Sequence, residues 1–219
     1  MSKPRIIADD KIPFLKGALE EVSEITYVPG SEINNRMVKE ADALIIRTRT
    51  KCNKDLLDGS NVKFIASATI GFDHIDTGYC SMESIQWTNA PGCNSSSVEQ
   101  YVTAALMNLA EKHGFLLKEK TLGIIGVGNV GQKVSRIAHS LGMHVLHNDP
   151  PREKQEGSLG FHSLDKIKEE ADFISFHVPL NIAGEYRTLD FVNQDFIHEL
   201  KKNVMVINTS RGEIMEEDT

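Results

Sequence analysis

The sequence predicts an α/β protein of two doubly wound parallel-sheet domains, the second of them incomplete. Three observations carry this reading. Short runs rich in Ile and Val alternate with segments of helical apolar period, a Pro91-Gly92 break interrupts the pattern before a long amphipathic stretch, and the alternation then starts again. Strands buried on both faces read as continuous apolar runs, and parallel neighbours need a crossover that is usually a helix, so this alternation signals a parallel sheet covered by helices.

Residues 5–8, 25–28, 43–46 and 62–66 read as strands, with a weaker fifth at 85–88. Between them, 14–22, 33–39, 54–57 and 75–82 have the length of crossover helices. After the Pro-Gly break, Val98, Tyr101, Val102, Ala105, Leu106, Leu109 and Ala110 recur at helical spacing, and Ser96 with Glu99 has the form of a capping box. A well-started helix after such a break marks a domain boundary, placed near Asn94, so that residues 1–94 form one domain and 95–219 the other. The second domain reads as strands at 121–127, 144–148, 173–178 and 204–208, with helices at 130–141, 164–170 and 194–200. No repeat of solenoid period is present.

Composition limits the classes of function. With 40% hydrophobic and 25% charged residues, the 219-residue chain has the make-up of a folded globular protein. A net charge of -7 and scattered Lys and Arg leave no basic stripe for a nucleic-acid backbone, so no nucleic-acid partner is expected. No apolar run approaches the roughly 20 residues of a membrane-spanning helix, and residues 1–10 read as polar positions and a short strand, not a signal peptide. The expectation is therefore no membrane partner and a cytoplasmic protein. Cys52, Cys80 and Cys93 are odd in number and widely spaced, which fits packing residues better than disulfides or a zinc pair, and no metal site is expected.

The clearest chemical signal is Gly126-Val127-Gly128-Asn129-Val130-Gly131, which follows an apolar strand and opens a helix. In that context the three glycines are the fingerprint of Rossmann-type dinucleotide binding. Gly126 permits the tight turn, Gly128 lets backbone approach a pyrophosphate, and Gly131 lets the helix pack on the strand. Asn129 and Val130 would offer the amides of the helix N-terminus to the phosphates. Asp149 stands 18 residues after Gly131, at the end of the next strand, where a carboxylate accepts hydrogen bonds from an adenosine ribose. That selects NAD, although Arg152 is a nearby cation that could soften the repulsion of a 2′-phosphate.

Arg211 lies in Asn208-Thr209-Ser210-Arg211-Gly212, directly after a strand, at the carboxyl end of the sheet where open α/β folds bind ligands. Its fork of donors suits a carboxylate and charge developing on a neighbouring oxygen. Two turns of the first domain, residues 47–51 and 68–73, also follow strands. The hydroxyls of Thr48 and Thr69 suit a polyhydroxy acid, and Arg47, Arg49 or Lys51 suits a phosphate. The eight histidines show no ligand spacing and read as packing or surface residues.

Together the Gly126 to Gly131 fingerprint, Phe176-His177-Val178-Pro179-Leu180 and the 208–212 turn resemble the D-specific 2-hydroxyacid dehydrogenases. Ala90-Pro91-Gly92-Cys93-Asn94, Asn148-Asp149-Pro150-Pro151-Arg152, residues 68–74 and Tyr27-Val28-Pro29-Gly30 narrow the resemblance to members acting on a phosphorylated hydroxy acid. The resemblance implies two flavodoxin/Rossmann-like domains and oxidation of a C2 hydroxyl to the 2-oxo acid, with hydride passing to NAD. It implies that Thr48 and Thr69 contact substrate, that Asn129, Val130, Asp149, Val178, Thr209, Ser210 and Arg211 line the cofactor site, and that Arg211 is catalytic. Thr48 stands where a serine is usual. Val178 stands where a threonine is common, and its side chain offers no hydrogen bond to the cofactor there.

Members of that family continue past the matching arginine to a glutamate and a histidine base, and to a domain through which homodimers form. Neither residue is identifiable in this sequence, and residues 213–219 read as the start of a helix. The 219 residues are thus expected to be part of a longer protein and inactive by themselves. Other readings are a family member acting on phosphoglycerate, glyoxylate or hydroxypyruvate, and an NAD-sensing corepressor on the same fold.

Overall fold

The structure is a computed structural model that describes residues 3–217. Its contacts divide the chain into two compact units, Met1–Cys93 and Asn94–Thr219.

The first unit is a five-stranded, wholly parallel sheet. Its strands are β1 (Arg5–Asp9), β2 (Glu24–Val28), β3 (Ala43–Ile46), β4 (Phe64–Ser67) and β5 (Gln86–Thr88), in the order β2-β1-β3-β4-β5. This is the flavodoxin-like order, with its switch point beside β1. The helices are short: α1 (Asn35–Val38), α2 (Lys54–Leu57) and α3 (Thr77–Met82). Each starts on a side-chain cap, in which Asn34, Asn53 and Asp76 accept from the amides of Met37, Leu56 and Tyr79. Leu44, Ile46 and Ile65 from the sheet pack with Val38, Leu57 and Cys80 from the helices, all buried.

The helix expected over 14–22 is absent. Phe14 and Gly17 take positive φ values of 60° and 87°, and the segment runs as turns, with Ala18 and Val22 amides bonded three residues back to Leu15 and Leu19. Glu20 organises these turns, accepting from the amides of Gly17 and Leu19 and from Tyr27 Oη. Those bonds, first of all the one from Gly17, hold its carboxyl down at about 2. A left-handed Gly17 and a satisfied carboxylate override the i, i+4 apolar spacing of Leu15 and Leu19. Cys52 and Cys80 are buried as expected, but Cys93 is exposed. Burial pushes the Cys52 thiol up to about 12 and so keeps it inert.

The second unit opens with α4 (Ser95–His113), which left-handed Gly114 ends, and continues with β6 (Thr121–Ile125), α5 (Asn129–Ser140) and β7 (His144–Asn148). There follow α6 (Pro150–Glu156), α7 (Leu164–Glu170), β8 (Phe173–Phe176), α8 (Gln194–His198) and β9 (Met205–Asn208). The sheet is parallel in the order β7-β6-β8-β9. Every residue of β8 is buried, and Val102 and Leu106 carry the inner face of α4 onto Leu122, Ile124 and Phe173.

Three expectations are corrected in this unit. The capping box does not form: Asn94 holds the cap position of α4 without a side-chain cap bond, and Ser96 Oγ instead accepts from Lys133 Nζ at 2.6 Å. Helix α6 was not expected. Its two prolines occupy the first turn, where a missing amide costs nothing, and Asp149 caps it. Residues 213–219 were expected to open a helix, yet Gly212–Ile214 is a single 3-10 turn and Met215 bridges to Val192. Asp218 and Thr219, the end of that expected helix, lie outside the described residues.

Candidate functional site

The fingerprint turn joins β6 to α5 at the point where β7 lies on one side of β6 and β8 on the other, the place where open α/β sheets bind ligands. Gly126 has φ of 87°, and a Cβ there would stand 2.6 Å from the His177 carbonyl oxygen. Its amide donates to the Asn148 carbonyl at 2.9 Å. A Cβ on Gly131 would collide with the Gly126 carbonyl oxygen and lie 3.3 Å from Ile124, so α5 packs against the turn with no space for a methyl group. Gly128 differs from both: a Cβ there would meet nothing within 4 Å. The first intrahelical bond runs from Gln132 to the Gly128 carbonyl, so the amides of Asn129, Val130 and Gly131 precede the ladder. Gly128 and Asn129 are exposed. An open glycine before three unladdered amides of a twelve-residue helix is a cradle that fits a pyrophosphate.

Asp149 lies at the end of β7 and fixes this cradle. Its Oδ2 accepts from Val127 N at 2.8 Å, and its Oδ1 accepts from Arg152 N at 3.1 Å as the cap of α6. Each oxygen keeps a second lone pair for a ribose hydroxyl. Arg152 completes the hold, because its Nη1 donates to the Val127 carbonyl, which also accepts from Gln132 Nε2 at 3.3 Å. The N–H and C=O of Val127 are thus fixed by two residues of one motif.

Val178, Thr209, Ser210 and Arg211 meet at the carboxyl ends of β8 and β9. Val178 N donates to Ser210 Oγ at 3.2 Å, and Ser210 Oγ donates to the Phe176 carbonyl at 2.8 Å. Ser210 N donates to Asn208 Oδ1, and Asn208 Nδ2 donates to the Arg211 carbonyl, which ties the turn into a loop of fixed shape. Arg211 is half-buried, and its Nη1 donates to the Ser210 carbonyl at 3.1 Å.

The sequence reads His177, beside them, as a packing or surface residue. His177 Nε2 lies 2.9 Å from Ser175 Oγ and its Nδ1 lies 3.0 Å from Thr209 Oγ1, so it joins β8 to the β9 turn. Burial pushes its imidazole down to about 4, and at neutral pH it is uncharged. A signal existed in the sequence, since residues two apart in a strand share a face and Ser175 and His177 stand at that spacing.

In the first unit, the parallel register of β1, β3 and β4 brings the loops after them to one edge of the sheet. Arg47, Thr48 and Arg49 are exposed there, while Thr50 is buried and donates to the Gly30 carbonyl at 2.9 Å. Arg47 reaches the Lys11 carbonyl only at 3.5 Å. Thr69 Oγ1 lies 2.7 Å from Ser67 Oγ and donates to the Gly71 carbonyl, and Ser67 Oγ lies 3.0 Å from His74 Nε2. Thr69 is thus fixed by its neighbours, whereas residues 47–49 point cations and a hydroxyl into solvent.

Residues 94–219 match the family model described as D-isomer specific 2-hydroxyacid dehydrogenase, NAD binding domain. The erythronate-4-phosphate dehydrogenase of Bacteroides fragilis is 53% identical over 213 residues, which cover 97% of this chain. The chain spans 61% of the length of that relative. Among solved structures, NAD-bound 3-phosphoglycerate dehydrogenase of Entamoeba histolytica matches with a TM-score of 0.83 at 28% identity, over 99% of this chain and 75% of that one. D-lactate dehydrogenase of Aquifex aeolicus, complexed with NAD and lactic acid, matches with a TM-score of 0.79 at 27% identity, over 98% and 71% of the two chains.

Proposed function

The chain belongs to the D-isomer specific 2-hydroxyacid dehydrogenase family and carries its NAD binding domain, and from that premise we propose that it serves the oxidation of 4-phospho-D-erythronate at C2. The product would be the 2-oxo acid, on the way to pyridoxal phosphate. The observation that carries the reading is the joining, within one unit, of an open glycine cradle, the Asp149 carboxylate and the Arg211 turn at the carboxyl ends of β6 to β9. The identity of the substrate rests on the 53% match to an erythronate-4-phosphate dehydrogenase.

In this reading Gly126, Gly128 and Gly131 shape the turn, and the amides of Asn129 and Val130 bind the pyrophosphate. Asp149 accepts the ribose hydroxyls. Val178, Thr209 and Ser210 would line the cofactor site. When bound, NAD supplies the acceptor for the C2 hydride. Arg211 binds the substrate carboxylate and stabilises charge on the C2 oxygen. Thr48 and Thr69 hold substrate hydroxyls, and the exposed pair Arg47 and Arg49 meets the phosphate. The functional protein is read as a cytoplasmic homodimer, on resemblance alone.

The test is NADH formation by the protein, with 4-phosphoerythronate, 3-phosphoglycerate, glycerate and lactate as substrates. The reading requires the highest kcat/KM for 4-phosphoerythronate, and preference for 3-phosphoglycerate would overturn it. Arg47→Ala and Arg49→Ala should raise KM for 4-phosphoerythronate and spare erythronate. If both variants matched the parent, the phosphate would be bound elsewhere.

A further inference from the structure

Beside Asp149, on the α5 side of the sheet, lies a cavity of about 400 Å³ to which the cofactor reading gives no role. Val127, Gln132, Arg136, Arg152, Glu156 and Phe161 line it. It thus holds two guanidinium groups and one carboxylate.

The state of Arg152 decides what the cavity can bind. Its Nε and Nη2 donate to Glu156 Oε1 and Oε2, both at 2.7 Å, in a bidentate pair one helical turn apart. Its third engaged group, Nη1, holds the Val127 carbonyl, and its guanidinium lies over the Phe161 ring at 5.6 Å. Arg152 is thus turned toward Glu156 with three of its five donors engaged. A cation in this place, just after the ribose acid, is what accommodates a 2′-phosphate in NADP-binding relatives of this fold type.

We propose that this cavity is a latent site for the 2′-phosphate of NADP and that Glu156 closes it, making Glu156 a positioning residue for cofactor choice. The inference rests on the reading that Asp149 binds the adenosine ribose. An incoming phosphate would meet two carboxylates, Asp149 and Glu156, and would compete with Glu156 for the paired edge of Arg152. Exchange of Glu156 for glutamine removes a negative charge and weakens the pair, which frees one edge of the guanidinium for a phosphate while Arg136 remains as a second cation. Glu156 is half-exposed on the last turn of α6, so the exchange disturbs no core packing.

Calorimetric titration of this chain with NAD and with NADP tests it, for the parent, E156Q and the double variant E156Q/R152Q. The expected result is a fall of about tenfold in the NADP-to-NAD ratio of Kd for E156Q, abolished in the double variant and shrinking as salt rises. Far-ultraviolet circular dichroism and thermal melting confirm that the variants fold, and E156S gives a second route to the same charge change. NAD binding with an unchanged ratio in both Glu156 variants would overturn the proposal alone, as would a gain that survives loss of Arg152. Failure of the folded parent to bind NAD at all would overturn the cofactor reading and this proposal with it.

Discussion

Asp149 is asked to do three things at once: cap α6, hold the Val127 amide and bind a ribose. Alanine would remove all three, so the informative exchange is Asp149→Asn, which keeps a good cap. It should weaken NAD by about tenfold or more, the worth of one hydrogen bond to a charged acceptor, while NADP, relieved of a like charge, changes little. Calorimetry showing equal losses for both cofactors would remove Asp149 from the ribose. His177 supports a second prediction. Its imidazole falls to about 4 in the folded chain against an ordinary value near 6.5. The unfolded chain therefore binds the extra proton first as pH drops, so the contribution is full above pH 6.5 and is lost as pH falls toward 4. One such group lowers stability by up to about 1.4 kcal/mol per pH unit across that window. Urea denaturation at pH 7.0 and 5.0 should show a smaller pH difference in His177→Asn than in the parent, and identical differences would refute the assignment. These two residues also mark the limits of reading one sequence. Asp149 was legible because its place after a strand and a glycine turn is local in the chain. His177 was not, since what defines it is Thr209, 32 residues away and adjacent only once β8 and β9 pair.

At the scale of elements, the strands were legible, and so were three of the four helices expected in the first unit. Ile and Val runs in a buried parallel sheet advertise themselves by composition alone. The short helices α1 and α2 fall in the segments 33–39 and 54–57 expected as crossovers, and each starts on a single asparagine cap. The segment 14–22 is the exception: its apolar spacing was helical, but Gly17 and the Glu20 carboxylate gave the backbone another set of bonds. Helix α6 was hidden by its own prolines, which look like a break until Asp149 is seen as their cap. The β6-turn-α5 element supports a paired test of the glycines. Gly131→Ala puts a methyl group onto the Gly126 carbonyl and should cost about 1 to 3 kcal/mol in stability, because backbone on both sides must move. Gly128→Ala meets nothing in the protein and has φ of -78°, so its stability should match the parent while NAD binding falls, the methyl standing in the phosphate's space. Urea denaturation with calorimetry separates the two. A Gly128→Ala chain that binds NAD like the parent would mean that the phosphates do not approach there.

For the molecule as a whole, the question is whether these 219 residues can carry the reaction as well as bind its cofactor. A hydride leaves C2 only as a base takes the hydroxyl proton, and a useful base at neutral pH has a pKa near 7 and a free lone pair. Arg211 has neither, since guanidinium stays protonated at any working pH. His177, the histidine beside the Arg211 turn, is held near 4 with both ring nitrogens engaged by Ser175 and Thr209. It can shape the turn but is poorly suited to accept the proton. The relatives with the proposed activity are longer, and this chain spans 61% of the B. fragilis enzyme. We therefore expect the 219 residues by themselves to bind NAD and yet to oxidise 4-phosphoerythronate at least about 10² times more slowly than the longer relatives, the usual contribution of general acid-base catalysis. Purified chain and full-length relative, assayed side by side for NADH formation and for NAD affinity, give the comparison. Comparable turnover would place a working base among the residues described above. If His177→Asn then abolished that turnover without lowering NAD affinity, the base would be His177, and its hydrogen bonds to Ser175 and Thr209 would have to open during catalysis.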